Sequence, residues 1–92
     1  MAHAILTSKK KNDLLWVDVD TAAEITAVEL GTLLDWERFF YPFLDPERVR
    51  GESRYKKADL DIIFQIKRLI QEGGFRKEGA KRALAWSYKR VA

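Results

Sequence analysis

The sequence contains no cysteine, and its one histidine is His3, close to the N-terminus. Without cysteine, neither a disulfide bond nor a thiolate metal site can form. A single histidine in a terminal segment that we expect to be frayed gives no basis for histidine-dependent metal binding or acid–base catalysis. No glycine-rich phosphate loop is present either, since Gly73-Gly74 lies where a helix is predicted to end, and that polarity disfavours phosphate. We therefore expect no enzymatic activity, no cofactor and no metal ion.

Long apolar runs are also missing. No stretch approaches the ~20 apolar residues that span a bilayer, and the N-terminus lacks the order of a signal peptide. We expect a cytoplasmic protein without membrane contacts. Its 92 residues, 47% of them hydrophobic and 34% charged, are typical of one small folded domain. We assign the domain to residues 13–92 and a flexible basic tail to residues 1–12, in which Lys9–Lys11 form either a solvated leader or an arm that contacts phosphates.

Charge is distributed unevenly along the chain, although the formal net charge is only +3. Residues 13–47 carry nine acidic residues against one arginine, whereas residues 48–92 carry thirteen basic residues against five acidic ones. If folding keeps these segments apart, one face of the domain attracts polyanions and another repels them.

The domain begins with a short run of large apolar and β-branched residues, Leu14–Val19. The run is too short for a stable helix and is typical of a strand or an extended packing segment. We predict that Trp16 attaches this segment to the core; stacking of Trp16 on a nucleic-acid base is the alternative.

A first helix is predicted to begin near Asp20, because Asp20 or Thr21 can accept hydrogen bonds from free amides and Glu24 can complete a capping box with Thr21. Two registers are possible for the end of this helix. In one, the helix runs to Leu30 and Gly31 caps it. In the other, the turn lies at residues 27–28 and Glu29 starts the second helix.

A second helix is predicted over Thr32–Phe40, where Leu33, Trp36, Phe39 and Phe40 form one apolar face. Together with the small residues Ala23 and Ala27 and with Val28, this spacing fits the second register. Small residues in the turn, followed by apolar residues facing back, are typical of a helix-turn-helix.

Two prolines end the second helix, and a basic loop with one glycine follows them within residues 41–60. A helix, a proline exit, a basic loop and a new helix, in this order, predict a winged helix-turn-helix with the loop as its wing. The third helix is predicted over Asp59–Gln71, with an apolar stripe that begins at Ile62 and a glycine end at Gly73-Gly74.

A fourth helix is predicted from about Lys77, with Ala80, Ala83, Leu84, Trp86 and Tyr88 available for packing. Basic side chains are interleaved with them. This pattern fits a solvated amphipathic helix and also a helix that contacts DNA. The predicted fold is therefore mainly α, with about four helices, a short basic wing and a short N-terminal extended segment.

Several motifs in this order resemble the DNA-binding domain of the MerR family of bacterial transcription regulators. Residues 33–38 (Leu-Leu-Asp-Trp-Glu-Arg) are similar to its Leu-x-x-Trp-Glu variant signature, and residues 40–46 to its Phe-Pro-x-Leu-x-Pro exit, with Tyr41 as an insertion. Residues 51–55 (Gly-Glu-Ser-Arg-Tyr) resemble the wing motif Gly-x-Arg-Arg-Tyr. Residues 74–82 are similar to the start of the family's fourth helix.

The resemblance implies that the second helix enters the major groove and that the wing, here Arg54 and Tyr55, contacts phosphates. This chain departs from the pattern at Leu34, Asp35 and Ser53, where the family has an arginine, an aromatic residue and the first wing arginine. From Glu29 to Phe40 the sequence contains one arginine and three acidic residues. An acidic helix is a poor ligand for a polyanion, so we expect the wing and the last helix to supply most of the contacts.

Ligand-sensing members of the family this chain resembles continue into a long dimerisation helix and an effector domain, whereas this sequence ends at Ala92. We therefore expect a small transcription regulator or an excisionase-like architectural factor, such as a phage or mobile-element protein, acting as a monomer or weak dimer on double-stranded DNA. The predicted DNA contacts are Arg38, Arg48, Arg50, Arg54, Tyr55, Lys56, Lys57, Arg76, Lys77 and Lys81.

The alternative function is a protein-interaction module on the same scaffold, for example a phage or plasmid protein that binds host machinery. Its acidic and aromatic half would dock a basic partner. The predicted partner contacts are Asp35, Glu37, Phe39, Tyr41 and Phe43.

Overall fold

Two helices joined by a three-residue turn form the first half of the domain. The computed structural model describes residues 16–91, with side chains up to Ser87. Helix α1 spans Val19–Thr26, and helix α2 spans Leu30–Phe39. The turn between them lies at residues 27–29, so the second of the two predicted registers is correct. The predicted basic tail, residues 1–12, lies outside the described residues, as do Leu14 and Leu15 and the side chains of Tyr88, Lys89 and Arg90.

The turn is built on Ala27, which has the left-handed backbone conformation with φ 58°. Its amide donates to the Glu24 carbonyl at 3.3 Å, and the Val28 amide donates to the Ala23 carbonyl at 3.1 Å. These two bonds define a Schellman motif, which satisfies carbonyls left free at a helix C-terminus. The Lys67 Nζ donates to the Thr26 carbonyl at 2.9 Å, and so the third helix also caps α1.

The predicted capping box of Thr21 and Glu24 is wrong, because α1 begins earlier. Its N-cap is Asp18, whose carboxylate accepts a hydrogen bond from the Thr21 amide at 2.9 Å. Asp18 is also the last residue of strand β1, Val17–Asp18, and its extended backbone (φ −81°, ψ 177°) is what an N-cap residue requires. Strand pairing therefore places the cap two residues before the predicted site.

A three-stranded antiparallel sheet carries the wing. Strand β2 spans Glu47–Val49 and β3 spans Glu52–Tyr55, and the strand order is β1-β3-β2. Val17 pairs with Tyr55 on one side of β3, and Arg48 pairs with Ser53 on the other. The predicted extended segment is thus a strand, and the basic loop is a β-hairpin.

Helix α3, Lys57–Lys67, begins two residues before the predicted start and continues as a π-helical segment, Arg68–Glu72. Asp59 accepts a hydrogen bond from the Lys56 amide at 3.0 Å, which satisfies a free donor at this N-terminus. The helix ends at the predicted glycines, and Gly74 adopts a positive φ of 72°. Helix α4 spans Lys77–Val91 and begins at the predicted residue.

The core lies between the helix-turn-helix, β3 and the two later helices. Buried apolar side chains from all of these elements form one cluster: Ala22, Val28, Leu33, Trp36, Phe40, Leu44, Tyr55, Ile62, Ile63, Ile66, Ala80 and Leu84. Trp86 differs from its predicted packing role, since 61% of its surface is exposed. No helix among residues 16–91 is both long and apolar enough to cross a membrane.

Candidate nucleic-acid interface

The wing is a tight hairpin with an arginine at its tip. Strands β2 and β3 are joined by Arg50 and Gly51 alone, and both have positive φ, 54° and 81°. Two consecutive residues of this kind match the twist of the flanking strands, which is why such turns join antiparallel pairs. The Arg50 side chain is therefore presented, exposed, at the end of the hairpin.

One face of the wing contacts α2 through polar side chains. The Ser53 hydroxyl donates a hydrogen bond to the Glu37 carboxylate, and both side chains are buried. Arg48, which pairs with Ser53 across the hairpin, places its guanidinium 3.8 Å from the same carboxylate while 60% of its side chain stays exposed. Glu37 was predicted to belong to a surface for a protein partner. In the structure its side chain is only 7% exposed and is engaged within the chain, which leaves little of it open to a partner.

Arg54 lies on the other face of β3, because successive side chains of a strand alternate. Its guanidinium carbon is 3.8 Å from the centre of the Trp16 ring, a cation–π contact. Its cross-strand neighbours are Asp18 and Glu47. Trp16 therefore packs on Arg54 more than on the core, and 44% of its surface is exposed.

Tyr55, which was predicted to contact phosphate, faces the core. Its side chain has no exposed surface, and its hydroxyl makes no hydrogen bond to the residues that the structure describes. The neighbouring Ser53 hydroxyl already donates to Glu37. Burial, with the Glu37 and Asp59 carboxylates, raises the pKa of the Tyr55 phenol above its ordinary value. Tyr55 is a core residue, since it alternates with Arg54 along β3 and faces inward.

The exposed side of α2 is apolar along most of its length. Leu30 and Leu34 are 40% and 44% exposed, and Arg38 follows them on the same side. Residues four apart lie above one another on a helix, so these three side chains form one line. At 3.6 residues per turn, Glu37 lies toward one edge of this line and Asp35 toward the other.

Helix α4 packs beside the Asp35 edge. The Lys77 Nζ is 2.8 Å from the Asp35 carboxylate and 4.7 Å from the centre of the Phe39 ring. Lys81, one turn further along α4, places its Nζ 5.2 Å from the same ring. Asp35 and Phe39, two of the predicted partner contacts, are thus covered in part by lysines.

Both acidic residues of α2 and its N-cap residue Glu29 have partners within the chain. Glu37 contacts Ser53 and Arg48, Asp35 contacts Lys77, and the Glu29 carboxylate accepts a hydrogen bond from the Thr32 hydroxyl at 3.4 Å. The charge count along the sequence therefore overstates how acidic the outward side of α2 is.

The remaining predicted residues lie outside this arrangement. Lys56 and Lys57 are exposed at the start of α3 and pair with Glu47 at 3.7 Å and Asp61 at 3.3 Å. Arg76 is exposed just before α4. Of the other predicted partner contacts, Tyr41 is 59% exposed and Phe43 is half-buried against the core.

A shallow groove runs between α2, the wing and the start of α1. It is lined by Leu34, Glu37, Arg48, Gly51, Glu52, Ser53 and the residues at positions 18–20. Arg48, but not Arg54, borders this groove. No group of acidic or histidine side chains in residues 16–91 is arranged to hold a metal ion.

A helix-turn-helix followed by a two-stranded wing and two further helices defines the class of the protein, a winged helix-turn-helix domain. Residues 18–85 match the family model described as MerR HTH family regulatory protein. The chain belongs to this family, and the domain is a MerR-like DNA-binding domain of the transcription-regulator type. No curated protein and no solved structure gives a significant match.

Proposed function

We propose that the chain is a small, non-enzymatic regulator or excisionase-like architectural factor that binds duplex DNA, and that its cationic contacts come from the two sides of α2. On one side stand Arg48 and Arg50 of the wing, and on the other Lys77 and Lys81 of α4. One observation carries the proposal: cationic side chains flank the exposed face of α2 on both sides, and the acidic residues of α2 itself are paired within the chain.

The arrangement fits a duplex for electrostatic reasons. A helix lying in the major groove has a phosphate backbone on each side, and cations facing those phosphates release condensed counterions. Phosphate contacts fix the orientation of a protein on DNA without reading its sequence. Arg54 contributes less in this proposal, because it lies on the outer face of the wing against Trp16.

A titration with mixed-sequence duplex at several salt concentrations tests the proposal. We expect log K to fall linearly with log salt concentration, and one lost phosphate contact to reduce the slope by about 1. The test variants are Arg50→Asn, since asparagine tolerates the positive φ at the wing tip, and Lys81→Ala.

Arg68→Ala is the matched control, because Arg68 is an exposed arginine on the π-helical segment and is not among the proposed contacts. It changes the net charge by the same amount as Arg50→Asn. If all three variants lower affinity and slope equally, only net charge matters and the proposed surface is wrong. Absence of any binding to the unmodified duplex at low salt would reject DNA binding itself.

The protein-interaction alternative has less support from two of its predicted contacts. Glu37 is buried against Ser53, and Asp35 contacts Lys77. Of its five residues, only Tyr41 presents a largely exposed ring. Other acidic residues of the segment 13–47, such as Asp20, Glu24 and Asp45, are exposed.

A further inference from the structure

We infer that Leu30 and Leu34 of α2 read the C5-methyl groups of thymine, so that the preferred DNA site carries thymine at positions facing the first turns of this helix. The inference rests on the proposed function. It concerns sequence preference, which the cationic residues at the sides of α2 do not provide.

The first observation is the chemistry of the outward face. The two leucines are substantially exposed, and Gly31 and Arg38 are their exposed neighbours along the helix. Gly31 has open space around the position of a Cβ atom, so none of the residues 16–91 covers this side of the first turn within 4 Å. Arginine, asparagine and glutamine read guanine and adenine by paired hydrogen bonds. None of these three residue types occurs before Arg38 on this helix.

The second observation is what flanks the leucines. Leu34 borders the groove that holds Arg48 and Gly51 of the wing, and the Asp35 edge of the helix is bordered by Lys77. A partner seated here meets the leucines in the middle, Arg48 and Lys77 beside them, and the exposed carboxylates of Asp18, Asp20 and Glu52 further along the groove. The leucines and the two cations match the major groove, which has phosphates at both rims and thymine methyl groups as the apolar feature of its floor.

The third observation is that Asp35 is held at 2.8 Å by Lys77. The charge of the carboxylate that follows Leu34 in the sequence is therefore paired, although 55% of the Asp35 side chain stays exposed. An unpaired carboxylate there would repel the phosphates more strongly. The pairing with Lys77 thus lowers the electrostatic cost of placing Leu34 against DNA.

The test begins with selection of preferred duplexes from a random library, followed by replacement of each selected thymine with deoxyuridine, which pairs identically but lacks the methyl group. Burial of one methyl-sized group corresponds to about a fourfold change in affinity. We expect a loss of this size at one or two thymines. Leu34→Ala or Leu30→Ala should abolish the sensitivity at its own position, while circular dichroism confirms folding.

Ile25→Ala is the control, since Ile25 is an exposed aliphatic residue of similar size on α1. This variant should retain the full difference between thymine and deoxyuridine. Two outcomes would overturn the methyl readout and leave the proposed function standing. In one, affinity for the selected duplex is unchanged by deoxyuridine at every position. In the other, binding depends on salt but the library yields no preferred sequence. No binding to any duplex would overturn both.

Discussion

Ser53 of the wing donates its hydroxyl hydrogen bond to Glu37 of α2, so the hairpin and the helix are joined by a buried polar contact between residues sixteen positions apart. Arg48 approaches the same carboxylate from the exposed side. The wing hairpin is also held by the pairing of β3 with β1 and by the buried Tyr55 side chain. Together with these, the contact helps to fix the direction in which Arg48 and Arg50 project relative to the helix.

Replacing Glu37 should consequently affect stability. Glu37→Ala leaves the buried Ser53 hydroxyl without its acceptor, and we expect the free energy of unfolding to fall by about 2 kcal/mol in urea denaturation. Glu37→Gln keeps an acceptor oxygen and should lose less. Glu47→Ala is the control, because the Glu47–Lys56 pair is exposed and should contribute less than about 1 kcal/mol. Equal losses for Glu37→Ala and Glu47→Ala would contradict this role of the buried contact.

Tyr55→Phe distinguishes a core role from the phosphate contact implied by the family resemblance. The hydroxyl is buried and makes no hydrogen bond to the described residues, so its removal should change the free energy of unfolding by less than about 0.5 kcal/mol. DNA affinity and its salt slope should be unchanged. A substantial loss of affinity in a stably folded Tyr55→Phe protein would show instead that this hydroxyl reaches the DNA.

Local signals predicted much of the fold. The apolar stripe from Ile62, the glycines at residues 73–74 and the small residues of the turn identify their elements without tertiary information. Local signals do not predict which side chains of β3 face inward. Alternation along residues 52–55 requires two side chains to face inward, but only the packing against α1 and α2 decides that these are Ser53 and Tyr55 rather than Arg54.

The candidate surface was less predictable for the same reason. Counting charges along α2 suggests an acidic helix, yet the partners of Glu37 and Asp35 come from the wing and from α4. Such contacts between distant segments have no local sequence signal. The N-cap was missed because Asp18 belongs to the predicted strand, and strand pairing supplies its extended backbone.

The Asp18 cap should make stability depend on pH. The hydrogen bond from the Thr21 amide lowers the pKa of the Asp18 carboxyl from its ordinary value of 3.8. A lowered pKa in the folded state means that the stabilisation is complete above about 3.8 and is lost as pH falls through the folded-state pKa. Asp18→Ala should therefore lose about 1 kcal/mol at pH 7, and the difference from the original chain should shrink as the pH falls below about 3.8.

Asp20→Ala is the matched control for this pH dependence. Asp20 is an exposed acidic residue in the first turn of the same helix, where its charge interacts with the helix dipole. We expect a smaller loss at pH 7, about 0.5 kcal/mol. If thermal denaturation at pH 7 and pH 3 gives Asp18→Ala the same deficit at both values, the carboxylate is not the source of the cap's stabilisation.

The substitution of alanine by glycine should change the free energy of unfolding in opposite directions in the turn between α1 and α2 and in helix α3. Ala27 has a φ of 58°, which disfavours a residue with a Cβ atom, so Ala27→Gly should raise the free energy of unfolding by about 0.5 to 1 kcal/mol. Ala58→Gly, at an exposed position in the first turn of α3, should lower it by about the same amount, because glycine costs conformational entropy in a helix. Urea denaturation of both variants measures the two changes. If Ala27→Gly is destabilising as well, flexibility gained by the unfolded chain outweighs relief of the left-handed conformation, and the turn is not strained.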